Sequence, residues 1–213
     1  MENPMPRAVT KIYIDDIDVD RRLSELGMDR QDILDIRNVA ASMHATGSSP
    51  YFPSNGAGQL AYQYGTHELR ATFLKRNWEI DQSYGTNGVR HPDHKLIVLY
   101  QNVDVACSLT DLPQARSRKG AGSERLSQGN SFELMEEDVP STHTEEGLEV
   151  AVWYVMVAQD GAVEVTHAVI KGNKFSEFIE RIFVHDGSDF DGLEDRGSSD
   201  DDAVDFDITI SRK

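Results

Sequence analysis

Seven histidines and one cysteine are the side chains of this 213-residue sequence best suited to nucleophilic, acid–base or metal chemistry, and their spacing limits what they can do. His91-Pro92-Asp93-His94 puts two imidazoles and a carboxylate within four residues. A metal would need further ligands from elsewhere to close its shell. No second run with ligand spacing follows, so the four residues read as the polar tip of a hairpin, and no metal is expected. Asp186-Gly187-Ser188-Asp189-Phe190-Asp191-Gly192 has the acid-rich look of a calcium loop. With Gly192 as the sharp-turn glycine, Gly187 falls where the first carboxylate belongs and Ser198 where the bidentate Glu belongs, so the pattern fails twice. Cys107 has no base with a family spacing around it, and Glu68 has no nameable partner. No dinucleotide fingerprint or zinc-finger spacing is present. The sequence therefore assigns no catalytic residue and no cofactor.

Two stretches remain that could bind. Arg116-Ser117-Arg118-Lys119-Gly120-Ala121-Gly122-Ser123, with Arg125 just beyond, is an anion-binding candidate. Small residues let backbone N–H groups approach a phosphate while Arg and Lys neutralise it. The order of Gly and Lys is not that of a Walker loop. Tyr51, Phe52, Tyr62 and Tyr64 flank a Gly/Pro loop, where aromatics either stack on bases or pin the loop to the core. The second stretch is acidic. The formal net charge is −16, and residues 1–130 carry 15 Lys and Arg against 16 Asp and Glu, whereas residues 131–213 carry 6 against 21. Asp200, Asp201, Asp202, Asp205 and Asp207 are its densest part. Such a surface repels phosphates and attracts basic partners.

The elements that must carry these residues follow from periodicity. Lys11–Val19 alternates as a first strand, Asp20 and Asp29 are candidate helix caps, and Ile33, Ile36, Val39, Ala40 and Met43 repeat at helical spacing. Residues 47–59 are a Gly/Pro loop, and a third helix is expected over Thr66–Asn77. Tyr84–Arg90 and Lys95–Val103 form a hairpin across 91–94, and Leu96–Tyr100 is apolar enough to be buried on both faces. Leu148–Gln159 and Ala162–Ile170 form a second hairpin. A two-residue Asp160-Gly161 turn would set Tyr154 opposite His167, Met156 opposite Val165 and Val152 opposite Val169. Phe175–Glu180 reads as a helical turn before a strand at Arg181–Val184. Val204–Ser211 alternates as a closing strand with one wet face.

The expected fold is a single α+β domain over 1–213: two or three N-terminal helices on a mostly antiparallel sheet of about five or six strands. A flexible linker is expected at about 108–147 and an acidic loop at about 186–203. A lone cysteine and the absence of a signal peptide or a spanning apolar run point to the cytoplasm and away from a membrane.

The order of landmarks resembles a set of uncharacterised bacterial and phage-borne proteins: Leu23 to Gly27, Tyr64-Gly65-Thr66 with Leu69-Arg70, Asn77-Trp78, Lys119-Gly120, the Asp160-Gly161 turn, Glu180-Arg181-Ile182, and Asp205-Phe206-Asp207-Ile208 before Arg212. The resemblance implies a mobile-element setting and carries over no functional residue.

Three functions stay open on these residues. One is a non-enzymatic protein whose acidic third docks on a basic partner and masks that partner's nucleic-acid-binding surface. Another is a nucleic-acid or phosphate-binding module built on the 116–125 loop. The last is an enzyme of unrecognised type.

Overall fold

A computed structural model describes residues 10–93, 95–128, 130 and 150–189. The chain opens with a short strand, β1 (Lys11–Tyr13), and turns at once into α1 (Asp16–Glu25). The strand expected to reach Val19 stops early because Asp15 caps the helix, its carboxylate accepting from the Ile17 amide at 3.0 Å. Asp16 and Asp18 in the first turn complement the helix dipole. Gly27, at φ 74°, ends the turn after α1 in a conformation that favours glycine. Asp29 is the N-cap residue of α2 (Arg30–Gly47), as its position before the helical repeat suggested.

The third helix, α3 (Gly56–Leu74), starts ten residues before the expected Thr66. Pro50 and Pro53 stay outside it, and Gly56 and Gly58 fall in its first turn. Gly65 sits mid-helix for a packing reason: a Cβ there would lie 2.4 Å from the Tyr100 ring. The chain then gives β2 (Glu79–Asp81), β3 (Gly88–His91), β4 (Leu96–Asn102), a short helix α4 (Ala121–Leu126), β5 (Ala151–Val157), β6 (Ala162–Lys171) and β7 (Lys174–Asp186).

The class is α+β, and the sheet is larger and more mixed than expected. Seven strands lie in the order β1-β7-β6-β5-β4-β3-β2. Four neighbouring pairs are antiparallel, while β1 pairs β7 and β4 pairs β5 in parallel. A parallel β4–β5 pair needs a crossover connection rather than a hairpin, and residues 103–128 and 130 form its described part. Helices α1–α3 cover one face, burying Leu23, Ile33, Ile36, Leu69 and Phe73 against Val98, Trp153, Val155 and Val165. The other face is covered by the 103–130 crossover. Val103, Ala106 and Leu126 pack there on Tyr154, Met156, Ala168 and Phe178. Leu96–Tyr100 is buried on both faces, as its unbroken apolar run implied.

This crossover occupies much of the expected 108–147 linker; residues 131–147 lie outside the described set. Its anchors are polar. Asn130 donates to the carbonyls of Val152 and Ala168 at 2.9 and 2.7 Å and accepts from the Val152 amide at 2.9 Å. Ser127 Oγ accepts from the Ile170 amide at 3.2 Å. Lys119, Ser123 and Ser127 are all buried.

The β5–β6 hairpin corrects the expected register by one residue. Trp153 faces His167, Tyr154 faces Thr166, Val155 faces Val165 and Met156 faces Glu164. The turn is a three-residue one: the Gly161 amide donates to the Ala158 carbonyl, and the Ala158 amide donates to Ala162. Gly161 takes φ 84°, the left-handed position of a type I turn with a bulge. The two-residue turn appears instead between β6 and β7, where Gly172 and Asn173 have φ 62° and 65° and Lys171 pairs Lys174. That tight turn feeds directly into β7, so Phe175–Glu180, expected as a helical turn, is strand. The closing strand expected at Val204–Ser211 lies outside the described residues.

Candidate functional site

Of the four basic residues of the 116–125 stretch, three have separate partners. Lys119 points into the protein, 7% exposed, bonded to the Gln101 side-chain oxygen and within 5.2 and 5.4 Å of the Tyr154 and Phe175 rings. Its role there is to tie the crossover to the sheet. Arg116 is exposed and bonds Gln159 beside the β5–β6 turn. Arg125 is exposed and lies over Tyr84, 4.8 Å from the ring centroid. Arg118 is exposed. Lys119 is thus withheld from a phosphate, and Arg116 and Arg125 are held by different neighbours.

The other sequence candidates are mostly committed to structure. His91 packs edge-on against Trp78, and its Nδ1 accepts from the Asp93 amide at 3.1 Å. His94 lies outside the described residues. Among the described residues no group of three or more His, Cys, Asp or Glu side chains could hold a metal. In the acid-rich loop, Asp186 accepts from the Ser188 amide at 3.0 Å and Asp189 is taken by Arg37. Tyr62 packs toward Tyr100, whereas Tyr51 is almost fully exposed. Cys107 donates toward the carbonyls of Val163 and His185, and burial with the nearby Glu164 carboxylate pushes its thiol up to about 12. A thiol so held is a poor nucleophile at neutral pH.

Three polar centres that the sequence did not announce hold the body together. On the crossover face, Arg181 and Glu164 form a wholly buried pair with contacts of 2.9 and 2.6 Å. Thr166 Oγ1 and the Cys107 amide also donate to Glu164, and Arg181 donates to the Ser108 carbonyl. Every charge-bearing atom group in this cluster is thus hydrogen-bonded, as a buried pair requires. On the helix face, Arg22 reaches from α1 to Glu180 and stacks over Trp153, whose other neighbour is His167. With Glu25, Leu26 and Ile179 they line a cleft of about 200 Å³. Burial, reinforced by Arg22, pushes His167 down to about 4, so its ring is neutral at pH 7. Both Glu180 oxygens face Arg22, and Glu25 Oε2 accepts from the same guanidinium at 2.8 Å.

The third centre sits where the described chain ends. Arg37, 3% exposed, grips both oxygens of Asp189 at 2.8 and 2.9 Å. The same guanidinium lies 3.3 Å from His185 Nδ1, which accepts from the Gly187 amide at 2.9 Å. The Arg37 guanidinium holds the Asp189 carboxyl below the usual carboxylate range. This fork fixes the start of the acidic 190–213 stretch against α2 and the Gly161 turn. The other acidic stretch, 131–149, runs between Asn130 and Val150 at the opposite end of β5. The two therefore leave the sheet roughly 20 Å apart, taking about 3.3 Å per strand residue. Asp200, Asp201, Asp202, Asp205 and Asp207 lie outside the described residues.

No signal in the sequence pairs Arg37 with Asp189, Arg22 with Glu180 or Arg181 with Glu164, because each pair is brought together by the sheet. No helix among the described residues is long and apolar enough to cross a membrane. No protein-family model, curated protein or solved structure matches this chain.

Proposed function

We propose that this chain is a non-enzymatic interaction protein: an α+β body that holds two acidic segments for a basic partner, covering that partner's nucleic-acid-binding surface. The observation that carries this reading is the partition of charge. The described residues contain 17 Lys and Arg against 21 Asp and Glu, and the remaining residues contain 4 against 16. The body is close to balanced, and the excess acid lies in 131–149 and 190–213. The body's own cations support the same reading. Arg37, Lys119 and Arg181 are buried in structural bonds and so are withheld from phosphates. The cleft beside Trp153 offers a neutral imidazole and two carboxylates, Glu25 and Glu180, that both pair with Arg22, which is weak equipment for catalysis.

The first variant of the test changes charge and leaves every described residue as it is. Asp200, Asp201, Asp202, Asp205 and Asp207 are replaced together by Asn, and binding to proteins of host lysate is followed over a salt series. Basic partners should be released from the native chain as salt rises, because exposed charges are screened beyond about 8–10 Å at physiological ionic strength. They should not bind the Asn variant. Replacing Arg116, Arg118 and Arg125 by Ala should leave them bound. Partners retained by the Asn variant and lost by the Ala variant would reverse the assignment toward nucleic-acid or phosphate binding.

A further inference from the structure

Among the described residues the sheet ends in β1 on one side and in β2 on the other, and the two edges differ in chemistry. At one end β1 has β7 on its inner side and no strand on its outer side among the described residues. An open row of backbone N–H and C=O groups is a template for another strand. An exposed apolar patch lies beside it. Ile12 is opposite Arg181, whose Nη1 donates to the Ser108 carbonyl at 2.8 Å, next in sequence to the exposed Leu109. Ile12, Ile14 and Leu109 are 36%, 54% and 68% exposed. Lys11, the neighbour of Ile12 on the other face, puts a cation at this edge. The opposite edge, β2, exposes Glu79 and Ile80, while Asp81 is buried and bonded by Arg90 at 2.8 Å.

We propose that the open edge of β1 is the docking site of this chain's own C-terminal segment, Val204–Ser211. The segment has the complementary pattern: Val204, Phe206, Ile208 and Ile210 alternate with Asp205, Asp207 and Thr209. Added to β1, it sets its apolar row beside Ile12 and Ile14 and its carboxylates beside Lys11. On β2 the same carboxylates would meet the exposed Glu79 and no lysine of that strand. Reach is sufficient. The fourteen residues 190–203 span up to about 46 Å when extended, at 3.3 Å per residue. The crossing from β7 past β1 is about 10 Å at 4.8 Å per strand, and the Arg37–Asp189 fork starts the segment at the β7 end of the sheet. The inference goes beyond the binding of a partner: it places Asp205 and Asp207 at one edge of the body.

Amide hydrogen exchange and mixed-isotope NMR on the full chain test it. Lys11–Ile14 amides should be protected, and Ile208→Asn should speed their exchange by about tenfold or more while β5 and β6 stay slow. Cross-strand NOEs between 11–14 and 204–211 should be intramolecular in a mixed-label sample. Unchanged exchange in Ile208→Asn overturns the proposal. Intermolecular NOEs overturn it in favour of a second copy of this chain. Edge amides that become protected only when a basic partner is added overturn it in favour of that partner. Ile208→Asn keeps every acid, so loss of edge protection with partner binding intact separates this inference from the proposed function.

Discussion

Trp153 stands directly opposite His167 across β5 and β6, their rings stacked with centroids 4.9 Å apart and planes 23° from parallel. The pair lies on the face covered by α1, with the Arg22 guanidinium 5.7 Å from the Trp153 ring. Burial under this lid keeps the His167 imidazole neutral.

That neutrality gives stability a pH dependence with a definite sign. His167 is pushed down to about 4 when folded, from an ordinary value of 6.5. Between those values the unfolded chain binds the extra proton, so stability falls as pH drops from about 6.5 to about 4 and is then level for this group. The full span is worth about 3 kcal/mol. Denaturant melts across this range should show a shallower fall for His167→Gln than for the native chain. His44, also lowered by burial, acts in the same direction in both proteins and cancels in the comparison.

The Glu164–Arg181 pair should behave as one unit. Glu164→Ala leaves a buried guanidinium without its carboxylate and should cost about 3–5 kcal/mol. The double variant Glu164→Met with Arg181→Met should cost clearly less than the sum of the single Met variants. A double-mutant cycle by urea denaturation measures the difference.

Two glycines of α3 should respond oppositely to alanine. At Gly65 a Cβ meets the Tyr100 ring at 2.4 Å, so Gly65→Ala must push α3 off β4 and should cost about 1–3 kcal/mol. At Gly58 nothing lies within 4 Å, so Gly58→Ala should be neutral or stabilising by up to about 1 kcal/mol. Thermal melts of the two variants provide the comparison.

The Arg37–Asp189 fork should control opening at one end of the sheet. Asp189→Asn should speed amide exchange at Gly161 and Gly187 at neutral pH and leave Asn130 and Val152 unchanged. The Asp189 carboxyl is held low by Arg37, so its contribution is present above its unfolded value and fades as pH falls through the folded one. The native and Asn proteins should therefore converge in acid.

Local chemistry in the sequence determined the parts of this protein that depend on near neighbours. Asp29 before a helical repeat marked α2, the 91–94 turn marked the β3–β4 hairpin, and the unbroken run at Leu96–Tyr100 marked a strand buried on both sides. The concentration of acid after residue 130 was equally plain. Register and cover were decided only by tertiary structure. β5 and β6 carry apolar residues on both faces, so alternation does not distinguish one register from its neighbour; the Gly161 turn and the Glu164–Arg181 pair do. The 103–130 crossover looked like a linker because its anchors are Lys119, Ser123, Ser127 and Asn130. Polar side chains are buried only where hydrogen-bond partners wait, and those partners, Gln101, Val152, Ala168 and Ile170, lie on strands that the sheet alone brings under it.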